Sequence, residues 1–164
     1  MIYAILLLAG AAIIWWFFMR SPQPVIPPLG VDPDDPLMQD AIKRAQESLD
    51  EFAALWSQYP QQCHAKVPFT TSSGEQEFLW GEVRDLTQRT IQLFLTTPPV
   101  THTGKVDRNK HYLLAEVVDW TVVMPDGKIK GGFTMIAMFQ LYRQEYGELP
   151  KELVGEESLY ESQF

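Results

Sequence analysis

Asp119 and Trp120 stand side by side in a β-rich run, HYLLAEVVDWTVV, which a Pro125-Asp126-Gly127 turn folds back toward Gly131, Gly132, Phe133 and Thr134. A carboxylate there has two uses. It could hold a ligand, with Gly131 and Gly132 allowing close backbone approach and the N–H groups of a following helix start receiving an anion. It could instead accept hydrogen bonds from turn N–H groups and from Thr134, satisfying a buried corner.

The other chemistry-bearing residues give weaker patterns. Glu75, Glu77 and Glu82 include carboxylates two residues apart, which share one face of a strand. Two such groups at a set separation could hydrolyse a glycoside, although acidic residues on the wet face of an antiparallel sheet are far commoner. Cys63-His64 pairs a thiol with an imidazole, but neighbours in sequence do not thereby gain catalytic geometry. His64, His102 and His111 are too scattered for a metal motif, and no phosphate-binding, dinucleotide or GxSxG pattern occurs. No metal and no cofactor is expected.

Periodicity places these residues on elements. Val117, Val118, Trp120, Val122 and Val123 suit a half-buried strand, and Pro-Asp-Gly supplies a hairpin turn. Thr134 is expected to cap a helix with Met135, Met138, Phe139 and Tyr142 along one stripe, ending near Gly147 before Pro150. Asp35-Pro36 opens a second amphipathic helix, expected to run unbroken to about Gln58 with Met38, Ile42, Ala45, Leu49, Phe52, Ala53 and Trp56 inward. Between the helices, Ala65–Thr70 reads as an edge strand at best because of Pro68. Glu77–Leu86 and Thr90–Thr97 read as further strands.

The chain has 164 residues, and about 110 of them, from Pro36 to Leu149, suffice for one domain. Its formal net charge of −8 argues against nucleic-acid binding, which rests on Lys and Arg neutralising phosphates, and fits a solvated surface or a basic partner equally well. Residues 2–19 carry no charge and would make a helix of roughly 27 Å, close to the thickness of a hydrocarbon core. Trp15, Trp16, Phe17 and Phe18 crowd the far end of that run, Arg20 follows, and nothing basic precedes it. This pattern reads as a permanent single-pass anchor in the lipid bilayer, with the domain on the cytoplasmic side and the periplasmic side as the alternative. The organisation expected is an anchor over 1–20, a proline-rich spacer over 21–35, a soluble α+β domain over 36–150 and a loosely ordered acidic tail over 151–164. In that domain a small antiparallel sheet packs against an N-terminal and a C-terminal amphipathic helix.

Val67-Pro68-Phe69, Glu77-Phe78-Leu79-Trp80, Pro98-Pro99, Asp119-Trp120 and Gly131-Gly132-Phe133-Thr134 together resemble the bacterial family known as domain of unknown function 2314. The likeness spans roughly Ala65 to Met138 and leaves the anchor, spacer and first helix outside. Members often carry an Arg just after the Gly-Gly-aromatic-Thr element; Met135, Ile136, Ala137 and Met138 stand there in this chain. The family implies no particular reaction, and a bacterial inner-membrane location follows from it together with the anchor. The candidate binding residues are accordingly Asp119, Trp120, Gly131, Gly132, Phe133, Thr134, Trp80 and Glu77. The leading expectation is a membrane-tethered protein-interaction module, with an immunity or inhibitor protein for a basic toxin or enzyme as one version. The alternative is a hydrolase using Asp119 with strand carboxylates and His111.

Overall fold

The computed structural model describes residues 34–161. The expected anchor over residues 2–19 and most of the spacer lie outside them, and no described helix is long and apolar enough to cross a membrane. Among the described residues the fold is α+β, with a six-stranded antiparallel sheet and four helices. In chain order these are α1 (Pro36–Glu47), α2 (Leu49–Gln58), β1 (Cys63–Thr70), β2 (Gln76–Leu86), β3 (Thr90–Leu95), β4 (Asn109–Leu113), β5 (Asp119–Val123), β6 (Ile129–Gly131), α3 (Phe133–Tyr146) and α4 (Lys151–Glu157). The strands lie in the order β4-β3-β2-β1-β5-β6.

Two departures from the sequence reading decide the topology. The run from His111 to Val123 is not one strand: a single 3-10 turn over Leu114–Glu116 divides it, leaving β4 at one end of the sheet while β5 joins β1 near the other. β1 is central, paired with both β2 and β5, despite Pro68. Lys66 turns its carbonyl toward the Val118 N–H at 2.9 Å, so Pro68, two residues on, turns its donorless nitrogen the same way. Pairing with β5 has already ended at Lys66, so no ladder bond is lost there.

The helical expectation over 36–58 also divides. Asp35 caps α1 by accepting from the Leu37 N–H at 2.8 Å, but α1 stops at Glu47 and α2 starts at Leu49. Ser48 Oγ donates to the Arg44 and Ala45 carbonyls, and the Trp120 indole N–H donates to Ala45 O at 3.2 Å and Ser48 Oγ at 3.1 Å. These bonds satisfy carbonyls that a helix end leaves open, so the break costs little. It turns Phe52 into a stacked contact with Trp120, ring centroids 5.2 Å apart.

Burial alternates along β1, β2 and β3, as in a sheet with one covered face and one wet face. The covered face carries Ala65, Val67, Leu79, Val83, Leu93, Trp120 and Val122, packed with Ala45, Phe52 and Leu55 of the first helices. α3 is sandwiched rather than singly striped. Ala137 and Met138 meet α1, whereas Met135, Phe139 and Tyr142 meet Leu149, Leu153 and Tyr160.

Residues 151–161 are held by that last contact and by those that follow. Lys151–Glu157 is helical, Arg143 grips both carboxylate oxygens of Glu157, and Ile129 exchanges backbone bonds with Leu159 and Glu161. The tail therefore covers the outer edge of β6. Tyr160 lies against Gly132, and burial pushes its phenol up to about 12.

Gly131 and Gly132 turn the chain from β6 into α3 with φ of 77° and 72°. A Cβ on Gly131 would collide with the Trp120 carbonyl and indole, whereas one on Gly127, φ 84°, would meet nothing within 4 Å. Gly127→Ala is expected to cost about 1–2 kcal/mol, the left-handed backbone penalty alone. Gly131→Ala is expected to leave no cooperative unfolding transition. Urea denaturation of the two variants checks this: equal midpoints would show that the Trp120 contact does not constrain the corner.

Candidate functional site

Asp119 is fully buried, with no exposed surface. Its Oδ1 accepts from the Trp120 N–H at 2.8 Å and the Phe133 N–H at 3.1 Å. Its Oδ2 accepts from the Thr134 N–H at 2.8 Å and the Thr134 hydroxyl at 2.6 Å. Burial pushes the carboxyl above its ordinary range, while the Thr134 and Trp120 donors and the Lys66 charge pull the other way. Three of the four donors are backbone N–H groups, which can only donate, so the acceptor-only carboxylate is the form the site matches.

This arrangement corrects the expected cap. The N-cap position of α3 is Gly132, without a side chain, and Thr134 lies inside the helix. The capping oxygens come instead from a strand residue, Asp119, which binds the first two N–H groups of α3 and meets the positive end of the helix dipole. An incoming anion would find those donors occupied.

Lys66 on β1, absent from the sequence candidates, extends the network. Its Nζ donates to Thr134 Oγ1 at 3.2 Å and lies 5.8 Å from the centre of the Trp80 ring. Burial pulls the ammonium below the ordinary lysine value and the Asp119 charge opposes this. A continuous path therefore runs from the Trp80 ring through Lys66 and Thr134 to Asp119. Its signal in the sequence was only the alternation of β1, which puts Lys66 opposite both Trp80 and Asp119.

Trp80 belongs to the wet face of the sheet, with Phe78 and Glu82 on β2, Phe94 on β3 and His64 and Lys66 on β1. Glu82 pairs with Arg84 at 2.6 Å, and the Arg84 and Arg108 guanidinium groups lie 5.4 and 5.9 Å from the Phe94 ring centre. Sequence reading missed Phe94, because face assignment needs the strand partners. Glu77 stands apart from this group. It is paired with Phe69 on the opposite face, and its carboxylate accepts from the Val100 and Thr101 N–H groups, both at 2.7 Å, and from the Thr101 hydroxyl at 2.6 Å.

The carboxylates offered for hydrolysis are thus engaged separately: Asp119 by the α3 start, Glu77 by the loop after Pro99, Glu82 by Arg84. Cys63 and His64 point to opposite faces of β1, and burial pushes the Cys63 thiol up to about 11, a poor nucleophile. Among the described residues no group of three or more His, Cys, Asp or Glu side chains is placed to hold a metal ion.

Two measurements probe these carboxylates. Asp119→Asn turns one acceptor oxygen into a donor facing buried N–H groups, so it is expected to fold with stability lowered by about 1–3 kcal/mol; a wild-type melting curve would show that the bonds contribute nothing. The bonds from Thr101 and Val100 depress Glu77 below its ordinary value. A depressed carboxylate holds its loop above the unfolded pKa and releases it as pH falls through the folded one. The Val100 and Thr101 amide proton shifts are expected to titrate together with a midpoint below about 4.3. Midpoints at or above that value would contradict the assignment.

No curated protein and no solved structure matches the chain. Residues 35–149 match the family model described as "Uncharacterized protein conserved in bacteria (DUF2314)". The match is wider than Ala65–Met138 and takes in α1 and α2, whose Ala45 and Phe52 are buried in the core. The chain, whose Asp119 corner and sheet fall within the matched residues, belongs to this family.

Proposed function

We propose that this domain is a protein-interaction module, tethered to the bacterial inner membrane through residues 2–19, which meets its partner with the wet face of the sheet. The observation that carries the reading is the set of rings on that face, Phe78, Trp80 and Phe94, with cations set over two of them. Aromatic and arginine side chains are the groups that most often anchor protein interfaces, and half-exposed rings cost little to bury further. Phe78 is the most open of the three at 37% exposure. The carboxylates give the hydrolase reading no comparable support, since each is engaged in its own local contact.

An immunity or inhibitor role toward a basic partner draws on the net charge of −8. Such a partner would meet the acidic exterior of α1 and α2, where Asp40 and Asp50 are exposed, rather than the rings. The cationic rim of the sheet face suits a partner offering apolar and acidic side chains.

Site-specific photo-crosslinking in cells separates the two surfaces. A crosslinker at Phe94 is expected to give a discrete protein adduct that Trp80→Ala abolishes without changing the melting temperature by more than a few degrees. A crosslinker at Asp50 is expected to give none. Adducts only from Asp50 would overturn the sheet-face reading in favour of the basic partner, and no adduct at either position would overturn the interaction module.

A further inference from the structure

We infer that the cleft bounded by α1, α3 and the wet side of β1 and β2 is a binding site for a small carboxylic acid with an apolar body. Met38, Ile42, Phe78, Val118 and Met138 form its walls, and its volume is about 170 Å³. A cavity of about 150 Å³ lined by aliphatic and aromatic side chains takes a benzene ring, so the cleft matches a ring or a short alkyl chain. Among its described lining residues the one charged side chain is Lys66, next to Thr134. The ligand chemistry follows from that pairing.

An ammonium group has three N–H donors, and the hydrogen bond of Lys66 to Thr134 Oγ1 at 3.2 Å uses one of them. Asp119 attracts Lys66 through space, yet its oxygens are taken by Trp120, Phe133 and Thr134. Lys66 is therefore held in place by a neutral hydroxyl, with donors left for an incoming acceptor beside an apolar wall. A carboxylate would complete those donors and a ring or alkyl chain would fill the wall, whereas a neutral amide of the same shape would supply the second without the charge. Methionines on two sides let the walls adapt to the body of the acid. The inference does not depend on the sheet-face reading, although Phe78 and Lys66 belong to both regions.

The full-length protein, labelled at its methionine methyl groups, gives a local readout by NMR. Titration with hexanoate or benzoate is expected to move the Met38 and Met138 resonances saturably and to leave Met124 and Met135 in place. Hexanamide and benzamide are expected to bind at least about tenfold more weakly, the charge-assisted bond being lost. Lys66→Met, which keeps the apolar stem, is expected to erase the preference for acid over amide, and Met138→Trp to fill the cleft and stop both. Equal binding of acid and amide by the unsubstituted protein overturns the assignment without recourse to any variant. So does the absence of saturable shifts at Met38 and Met138, or a Lys66→Met protein that retains the preference.

Discussion

A carboxylate on a strand holding the first turn of a helix is the constraint on which this fold depends. Asp119 is isolated from solvent, and burying such a charge is costly unless donors replace its water. Three of the four donors are backbone N–H groups that must already be in place, from the next residue of β5 and the first two residues of α3, and the fourth is the Thr134 hydroxyl. The bond set therefore couples strand register to helix entry. A slip of β5 by one residue would turn Asp119 to the other face and leave the N–H groups of Phe133 and Thr134 without it.

Trp120 does the complementary work on the opposite face. Its ring stacks on Phe52 and meets Phe133 edge-on at 5.8 Å, and its indole N–H reaches the break between α1 and α2. Two neighbouring residues of one short strand thus fix α3 on one side and the α1–α2 corner on the other. The glycines follow from this crowding, since the Trp120 carbonyl and ring occupy the space that a Gly131 side chain would need. Gly132 is confined in the same way by Tyr160, which gives the C-terminal residues a place to dock.

How much of this could be read from the chain depends on the range of the forces involved. The β5–β6 hairpin, the start of α1 at Asp35 and the end of α3 at Gly147 are set by neighbours within a few residues, and all three stand where the sequence puts them. The helix break at Ser48, the central place of β1 and the helix over Lys151–Glu157 depend on partners far along the chain. Propensity is silent on Trp120 reaching Ser48, on β5 starting only at Asp119 opposite Lys66 so that it does not pair with Pro68, and on Arg143 meeting Glu157. The same distinction divides the candidate residues. Asp119, Trp120, Gly131, Gly132, Phe133 and Thr134 do converge, because the hairpin turn brings them together, whereas Trp80 reaches the group only through Lys66 and Glu77, on β2, binds the loop after Pro99.

Lys66 shows why the motif-bearing residues and the available residues differ. The Asp119 carboxylate is fully engaged by donors of Trp120, Phe133 and Thr134, so the Asp-Trp and Gly-Gly-Phe-Thr elements hold each other in place. A half-buried ammonium beside them is tolerated because Asp119 offsets part of its desolvation and Thr134 accepts one bond. Replacing it by an apolar residue of similar length would remove that desolvation cost and leave the Asp119 donors intact, but would also take the Lys66 charge away from the buried carboxylate. Asp119 is held by hydrogen bonds of 2.6 to 3.1 Å from Trp120, Phe133 and Thr134, and Lys66 by one of 3.2 Å to Thr134. A cation with a single hydrogen bond of 3.2 Å, at the meeting of an apolar cleft and a ring-bearing sheet face, is the feature on which the proposed binding rests.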